Sequence, residues 1–337
     1  MARRKMICTT TSSGRRFIFG MPRHDIVVVG ASTGGVDALQ QLVYGLPADF
    51  PGTIFIVMHV GAESAMAEIL SRCGKIKVFS AKDGTYYKPG EIHIAPPHRH
   101  MQISNGQIKL NAGPRENGHR PAIDPLFRSA AREHRARVAG VILTGALDDG
   151  TAGLFAVKSR GGVTIVQDPA EAVAPNMPLS AIRNVEIDHC CALEEIAPLL
   201  VRLAAEETKE TKSHARKMSA EKEGIAKEPP PARTQISLAC PECNGPLYET
   251  KDGQIAHFKC NVGHAFSPES LSEAHAEALE RALWTALRTL NERVTLHRQL
   301  LRRQRNKGEE ELLQRFEDSV KTAERDIELL REIIGRI

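Results

Sequence analysis

The sequence predicts an α/β fold, a doubly wound and mostly parallel sheet over residues 25–203, with two smaller segments behind it. Three observations carry this expectation. Short runs rich in Ile, Val and Phe recur between Asp25 and Gln167, bounded by Gly, Pro and Asp. Some of them, VVVG and IFIVM, are apolar at every position, as strands covered on both faces are. Helical patterns fall between several of the runs, the alternation that builds a parallel sheet with helices on both sides.

Taken in order, IVVVG runs into a glycine-rich turn and the helical pattern VDALQQLVYGL. TIFIVMHV, SAMAEILSR, IKVFS and EIHIA follow. MQISNGQIKL is a local exception, because Asn105-Gly106 between two alternating runs predicts a tight β-hairpin. PLFRSAAREH, VAGVILTG, TAGLFAVKSRG and GVTIVQ then restore the alternation.

Residues 1–24 are basic and rich in hydroxyls, without the apolar stretch of a secretory signal, and are expected to be a disordered extension or to precede a start at Met21. Residues 204–235 are charged, nearly free of large apolar side chains, and close on three prolines, the composition of a flexible linker. Behind it, residues 236–268 carry C-x2-C-x16-C-x3-H: Cys240, Cys243, Cys260 and His264. Thiolates two apart on a tight turn face one small cation, and a second such pair completes a tetrahedron with no open position, which suits structural zinc. PLYETKDGQIAHFKC between the pairs alternates like a hairpin turning at Asp252-Gly253, so a zinc-ribbon-like module is expected. His257 competes as a ligand, but His264 has the better spacing. So small a module has little core, and the metal would supply much of its stability.

Residues 269–337 read as helix. Leu279, Leu283, Leu287, Leu290 and Val294 form one apolar stripe, and Leu312, Phe316, Val320, Ala323, Ile327, Leu330 and Ile334 form another after Asn306-Lys307-Gly308. A helical hairpin or coiled coil follows, packed on itself or dimerising. Ser267-Pro268-Glu269 fits an N-cap, a first-turn proline and an acid at the helix start.

Bulk properties exclude several classes. A net charge of +4 on 337 residues gives no reason to expect nucleic acid or an anionic membrane as partner. No apolar run approaches the roughly 18 residues of a membrane span. Seven cysteines at irregular spacings are not a disulfide framework and point to a reducing cytoplasm.

The chemistry centres on VVVGASTGG, residues 27–35. As a phosphate cradle it is poor: the second glycine of a dinucleotide fingerprint is missing, and the next strand ends on His59 where that fingerprint places an acid. As a nucleophile turn it is better, because Gly30-x-Ser32-x-Gly34 between strand and helix is where a strained elbow exposes a hydroxyl. Such a serine needs a base and a group to orient the base. His59 ends the second strand, and Asp149 lies just past VAGVILTG in the loop ALDDG. Carboxyl ends of parallel strands share one edge, so Ser32, His59 and Asp149 can converge. The order Ser, His, Asp is not that of α/β-hydrolases.

VVVGASTGG, IVMHV, IHIAPPHRHM, HRPAIDPLFRSAA, VILTGALDDGTAG and QDPAEAVAPNMPLSAI together resemble the catalytic domain of CheB-type chemotaxis methylesterases over residues 25–203. The resemblance implies hydrolysis of glutamyl methyl esters on chemoreceptors, with glutamine deamidation in many members, and no catalytic cofactor. It puts the triad on Ser32, His59 and Asp149, choosing Asp149 over Asp148 because the family's aspartate directly precedes a glycine. Backbone N–H groups at Thr33 and Ala146 are the implied oxyanion donors, although family members commonly carry Met where Ala146 stands. Arg120 is either a contact to an acidic receptor surface or one half of a structural ion pair. His93, His98 and His100 read as packed or solvated. Family members typically carry an N-terminal receiver domain, and only about 24 residues precede the first strand here, so control is expected from a protein partner or from the C-terminal helices. A rival expectation is a signalling adaptor that keeps the esterase fold and acts through its zinc and helical segments.

Overall fold

The computed structural model describes residues 24–59, 65–205, 234–252, 255–304 and 310–336. The expected N-terminal extension, most of the linker, Gly253 of the turn at Asp252-Gly253, and the break at Asn306-Lys307-Gly308 lie outside the described residues. The chain divides into two units, one of the sheet with its helices and one of residues 116–118 and 233–337.

In the first unit the elements are β1 (Ile26–Ala31), α1 (Gly35–Tyr44), β2 (Thr53–Met58), α2 (Met66–Ser71), β3 (Lys77–Ser80), β4 (Glu91–Ile94), β5 (His100–Ser104), β6 (Gln107–Asn111), α3 (Ile123–His134), β7 (Val138–Ile142), α4 (Thr151–Ser159), β8 (Val163–Gln167), α5 (Asn176–Asn184), β9 (His189–Cys191) and α6 (Leu193–Ala205). The sheet order is β3-β4-β2-β1-β7-β8-β9, every neighbouring pair parallel. From β1 the chain winds first towards β2, β4 and β3, then returns to add β7, β8 and β9 on the other side. The reversal lies between β1 and β7, and crevices at the carboxyl end of such a reversal are where open α/β sheets bind ligands.

All six residues of β1 are buried. Val27, Val29 and Ala31 join Leu39, Leu42, Ile196 and Leu200 on the face covered by α1 and α6. Ile26 and Val28 join Ile123, Phe127, Leu154 and Val157 on the face of α3 and α4. Two covered faces explain why the strand has no polar alternation. Asn105 and Gly106, with φ of 52° and 69°, turn the antiparallel β5–β6 hairpin as its sequence predicts. The three-residue β9 and helices α5 and α6 lay beyond the sequence reading: β9 is too short to show a period, and Pro198 interrupts the pattern of α6.

In the second unit, β10 (Thr234–Ala239), β11 (Pro246–Asp252), β12 (Ile255–Cys260) and β13 (Ala265–Phe266) form an antiparallel sheet in that order. Helix α7 (Pro268–Gln304) follows, with Ser270 donating its N–H to Ser267 Oγ at 3.0 Å, the cap its sequence predicts. Helix α8 (Glu310–Ile334) packs on α7 through Leu287, Val294, Val320, Ala323 and Ile327. Helix α7 has 37 residues against 25 in α8, and its Leu279 and Trp284 stay about half exposed (54% and 52%). Leu279 therefore falls outside the packed seam despite its place in the apolar stripe. Asn117 belongs to this unit: its N–H donates to Ala265 O, and its Oδ1 accepts from Ser267 N and Ser270 Oγ.

Candidate active site

Strand register brings the first two predicted residues together. Ala31 of β1 pairs with Met58 of β2, so Ser32 and His59 are each the next residue on adjacent strands. His59 is the first residue past β2 rather than its penultimate member, and its N–H still donates to Ala31 O at 3.2 Å. Gly34 supplies a left-handed φ of 76° at the head of α1, which lets the chain turn sharply behind Ser32.

The serine turn is tied to the end of β7. Ser32 N donates to Thr144 O at 3.0 Å, and Thr144 Oγ1 donates to Thr33 O at 2.9 Å. Thr144 N in turn donates to Gln167 Oε1 at 2.9 Å. Neither Thr144 nor Gln167 stood out in the sequence, because their role is a cross-strand tie that no spacing announces.

His59 Nδ1 lies 3.2 Å from Ser32 Oγ, and its Nε2 lies 2.8 Å from Asp149 Oδ2. A proton on Nε2, donated to the carboxylate, leaves the Nδ1 lone pair facing the hydroxyl, which is the tautomer a general base needs. The His59 and Asp149 side chains are 7% and 2% exposed. Asp149 also accepts from Ile123 N at 2.7 Å and Asp124 N at 3.3 Å, the opening amides of α3. Amides at a helix start are ready donors to an acceptor oxygen, so α3 holds the carboxylate in one orientation. Asp124 Oδ1 accepts from Gly153 N of α4 at 2.6 Å, locking together the two helix starts that flank Asp149.

Thr33, next to Ser32, and Ala146, in the loop after β7, are both exposed. Gly145 packs its backbone against Ser32, for a Cβ there would sit 2.9 Å from Ser32 Cβ. Arg120 donates through Nη1 to the carbonyls of Ala112 at 3.1 Å and Gly113 at 2.8 Å, bracing its own loop. His93 is buried against Glu91 between the rings of Phe55 and Phe79, and His100 bonds Pro114 O, so both are packed.

His119, noticed in the sequence only as part of a motif, stacks on His59 with ring centroids 3.7 Å apart and planes 13° apart. Burial, reinforced by His59, pushes its pKa down to about 4. Sequence separation of 60 residues hides this pair, and only the path of the loop before α3 creates it.

Residues 27–200, about half the chain, match the family model of the CheB methylesterase. The chain belongs to the CheB methylesterase family. It is 38% identical over 183 residues to a Leptospira interrogans protein provisionally named protein-glutamate methylesterase/protein-glutamine glutaminase, covering 53% of this chain and 95% of that one. It is also 38% identical over 186 residues to the Pseudomonas aeruginosa protein-glutamate methylesterase/protein-glutamine glutaminase 2, of which it covers 53%. The crystal structure of the Thermotoga maritima CheB methylesterase catalytic domain superposes with a TM-score of 0.51 at 34% identity, spanning 53% of this chain and 98% of that domain. The family match over residues 27–200 takes in Ser32, His59 and Asp149.

A second cluster stands in the other unit. Cys240, Cys243, Cys260 and His264 offer ligand atoms all within 4.8 Å of one another. Two similar turns present them: Asn244 N donates to Cys240 O, and Gly263 N to Cys260 O. The Cys243–Cys260 sulfurs are 3.7 Å apart, and His264 Nδ1 lies 3.7 and 3.6 Å from the sulfurs of Cys240 and Cys260. Tetrahedral zinc with ordinary bond lengths requires about 3.8 Å between sulfurs and about 3.6 Å from sulfur to nitrogen, so the residues fit that ion. Burial raises the Cys240 thiol to about 11, and a bound cation would reverse this by stabilising the thiolate. His257 lies outside the cluster.

Proposed function

We propose that this chain hydrolyses methyl esters of glutamyl side chains on chemoreceptor-type proteins, releasing methanol, with deamidation of glutamine by the same steps. Ser32 Oγ attacks the ester carbonyl while His59 Nδ1 takes its proton, and Asp149 stabilises the imidazolium through Nε2. The N–H groups of Thr33 and Ala146 receive the oxyanion, whose charge exists only in and around the transition state. The intermediate expels methanol, protonated from Nδ1, to leave a glutamyl ester on Ser32. Water, deprotonated at Nδ1, then releases the glutamate and restores the serine. These steps use protein groups and water alone.

The observation that carries this reading is the continuous bonded line Ser32–His59–Asp149 at a sheet reversal, in a member of this family. The test is methanol release from methylated receptor. Ser32→Ala should abolish it and also abolish labelling by a serine-directed fluorophosphonate; unchanged release overturns the triad. A folded wild-type chain that resists the probe favours the adaptor reading instead.

For the second unit we propose a zinc-ribbon-like module stapled through Cys240, Cys243, Cys260 and His264, and a helical hairpin or coiled coil that engages a regulatory protein. Two observations support this: the Cys3His spacing fits the ion, and the second unit has its own small core of Leu247, Phe266 and Leu271. Among the described residues no helix is long and apolar enough to cross a membrane. Among the described residues, Cys73, Cys190 and Cys191 stand outside the metal cluster and outside any disulfide, which suits a cytoplasmic setting.

A further inference from the structure

The imidazole of a serine esterase must do two things at one position, accept a proton from the serine and then give it to the leaving group. Both ring nitrogens of His59 are committed in the ring plane, Nδ1 to Ser32 and Nε2 to Asp149. Two in-plane bonds limit sliding of the ring but resist tilting poorly, because hydrogen bonds to a rim soften towards out-of-plane motion. What meets the face of the ring therefore matters.

That face is covered by His119, stacked nearly flat at 3.7 Å. The loop that delivers His119 is braced along its length. Arg120 Nη1 holds the carbonyls of Ala112 and Gly113. Arg120 O accepts from His98 N at 3.2 Å. His100 spans the loop, bonding Pro114 O through Nε2 and accepting Ala122 N through Nδ1. Ile123, four residues after His119, then donates to Asp149. One loop thus supplies the cover for the base and leads into the amide that orients the carboxylate.

We propose that His119 is a positioning residue of the esterase: its ring, stacked on His59, holds that imidazole in the plane joining Ser32 to Asp149 and keeps water off its face. The ring's flat face, rather than its nitrogens, performs this role. Its buried surroundings keep it uncharged when His59 becomes a cation, so it offers a π-face to that cation without adding like charge. This rests on the esterase reading of Ser32.

The test uses the full chain and two readouts: turnover of methylated receptor, and the rate of fluorophosphonate labelling of Ser32, which requires no receptor docking. The variants are His119→Ala, His119→Leu and His119→Phe, with folding checked by circular dichroism. Ala and Leu should lower kcat and the labelling rate together by about 10- to 100-fold, as loss of near-attack geometry does, with KM little changed. Phe should restore most of both rates. Should Ala fail to fold, Leu carries the comparison, since it fills the volume without a flat ring. Full activity in either, a change confined to KM, or a Phe variant as impaired as Leu overturns the proposal. If wild-type chain shows no Ser32-dependent labelling, the esterase reading fails, a result distinct from loss of the His119 role.

Discussion

Gly30 stands where Ile123 leaves no room for a side chain: a Cβ there would lie 2.5 Å from Ile123 Cγ2. Ile123 also presses on Gly150, and its own N–H bonds Asp149. The Ile123 side chain thus wedges α3 against the end of β1 and the head of α4, while its backbone N–H orients the carboxylate. Gly30→Ala should therefore cost about 1–3 kcal/mol, measured by urea unfolding, because overpacking must displace that wedge. It should also slow fluorophosphonate labelling, since moving Ile123 moves Asp149. Full stability and full labelling together would contradict the wedge. At this scale the sequence showed Ser32, His59 and Asp149 because each is an unusual residue at a strand end. Ile123 and Thr144 look ordinary in sequence and His119 shows there only as part of a motif; all three acquire their roles through neighbours distant along the chain.

Among the elements, the two turns holding Cys240, Cys243, Cys260 and His264 were legible because ligand spacing is a local property. Metal analysis of chain purified without chelators should find about one zinc per molecule, and a strong chelator or Cys243→Ser should unfold β10–β13, seen as faster amide exchange there. Labelling of Ser32 should persist, since the triad lies in the other unit. Much less than one zinc, or unchanged exchange after chelation, would sink the metal proposal. The exposed Leu279 shows the converse limit. A stripe in the sequence predicts which face of α7 is apolar, but the length of α8 decides how much of that face is covered.

For the whole sheet unit, burial lowers the pKa of His24, His93, His119 and His134. Each resists protonation when folded and takes a proton near 6.5 when unfolded. The unfolded chain therefore binds more protons as pH falls below about 6.5, and stability must drop with it towards the folded values. The urea midpoint of this unit, followed by pulse proteolysis, should fall between pH 7.5 and 5. A flat or rising midpoint would show that these histidines protonate freely in the native state.

The sequence by itself determined the strand and helix alternation, the hairpin at Asn105-Gly106, the serine turn, and the cysteine pairs. All are set by local sterics, by periodicity, or by ligands a few residues apart. Only the tertiary structure decided that Ser32 and His59 are register neighbours, that the opening amides of α3 bind Asp149, and that His119 lies over the base. Those relations join residues tens of positions apart, and they exist because packing on both faces of a parallel sheet leaves the loops at its carboxyl edge one way to meet.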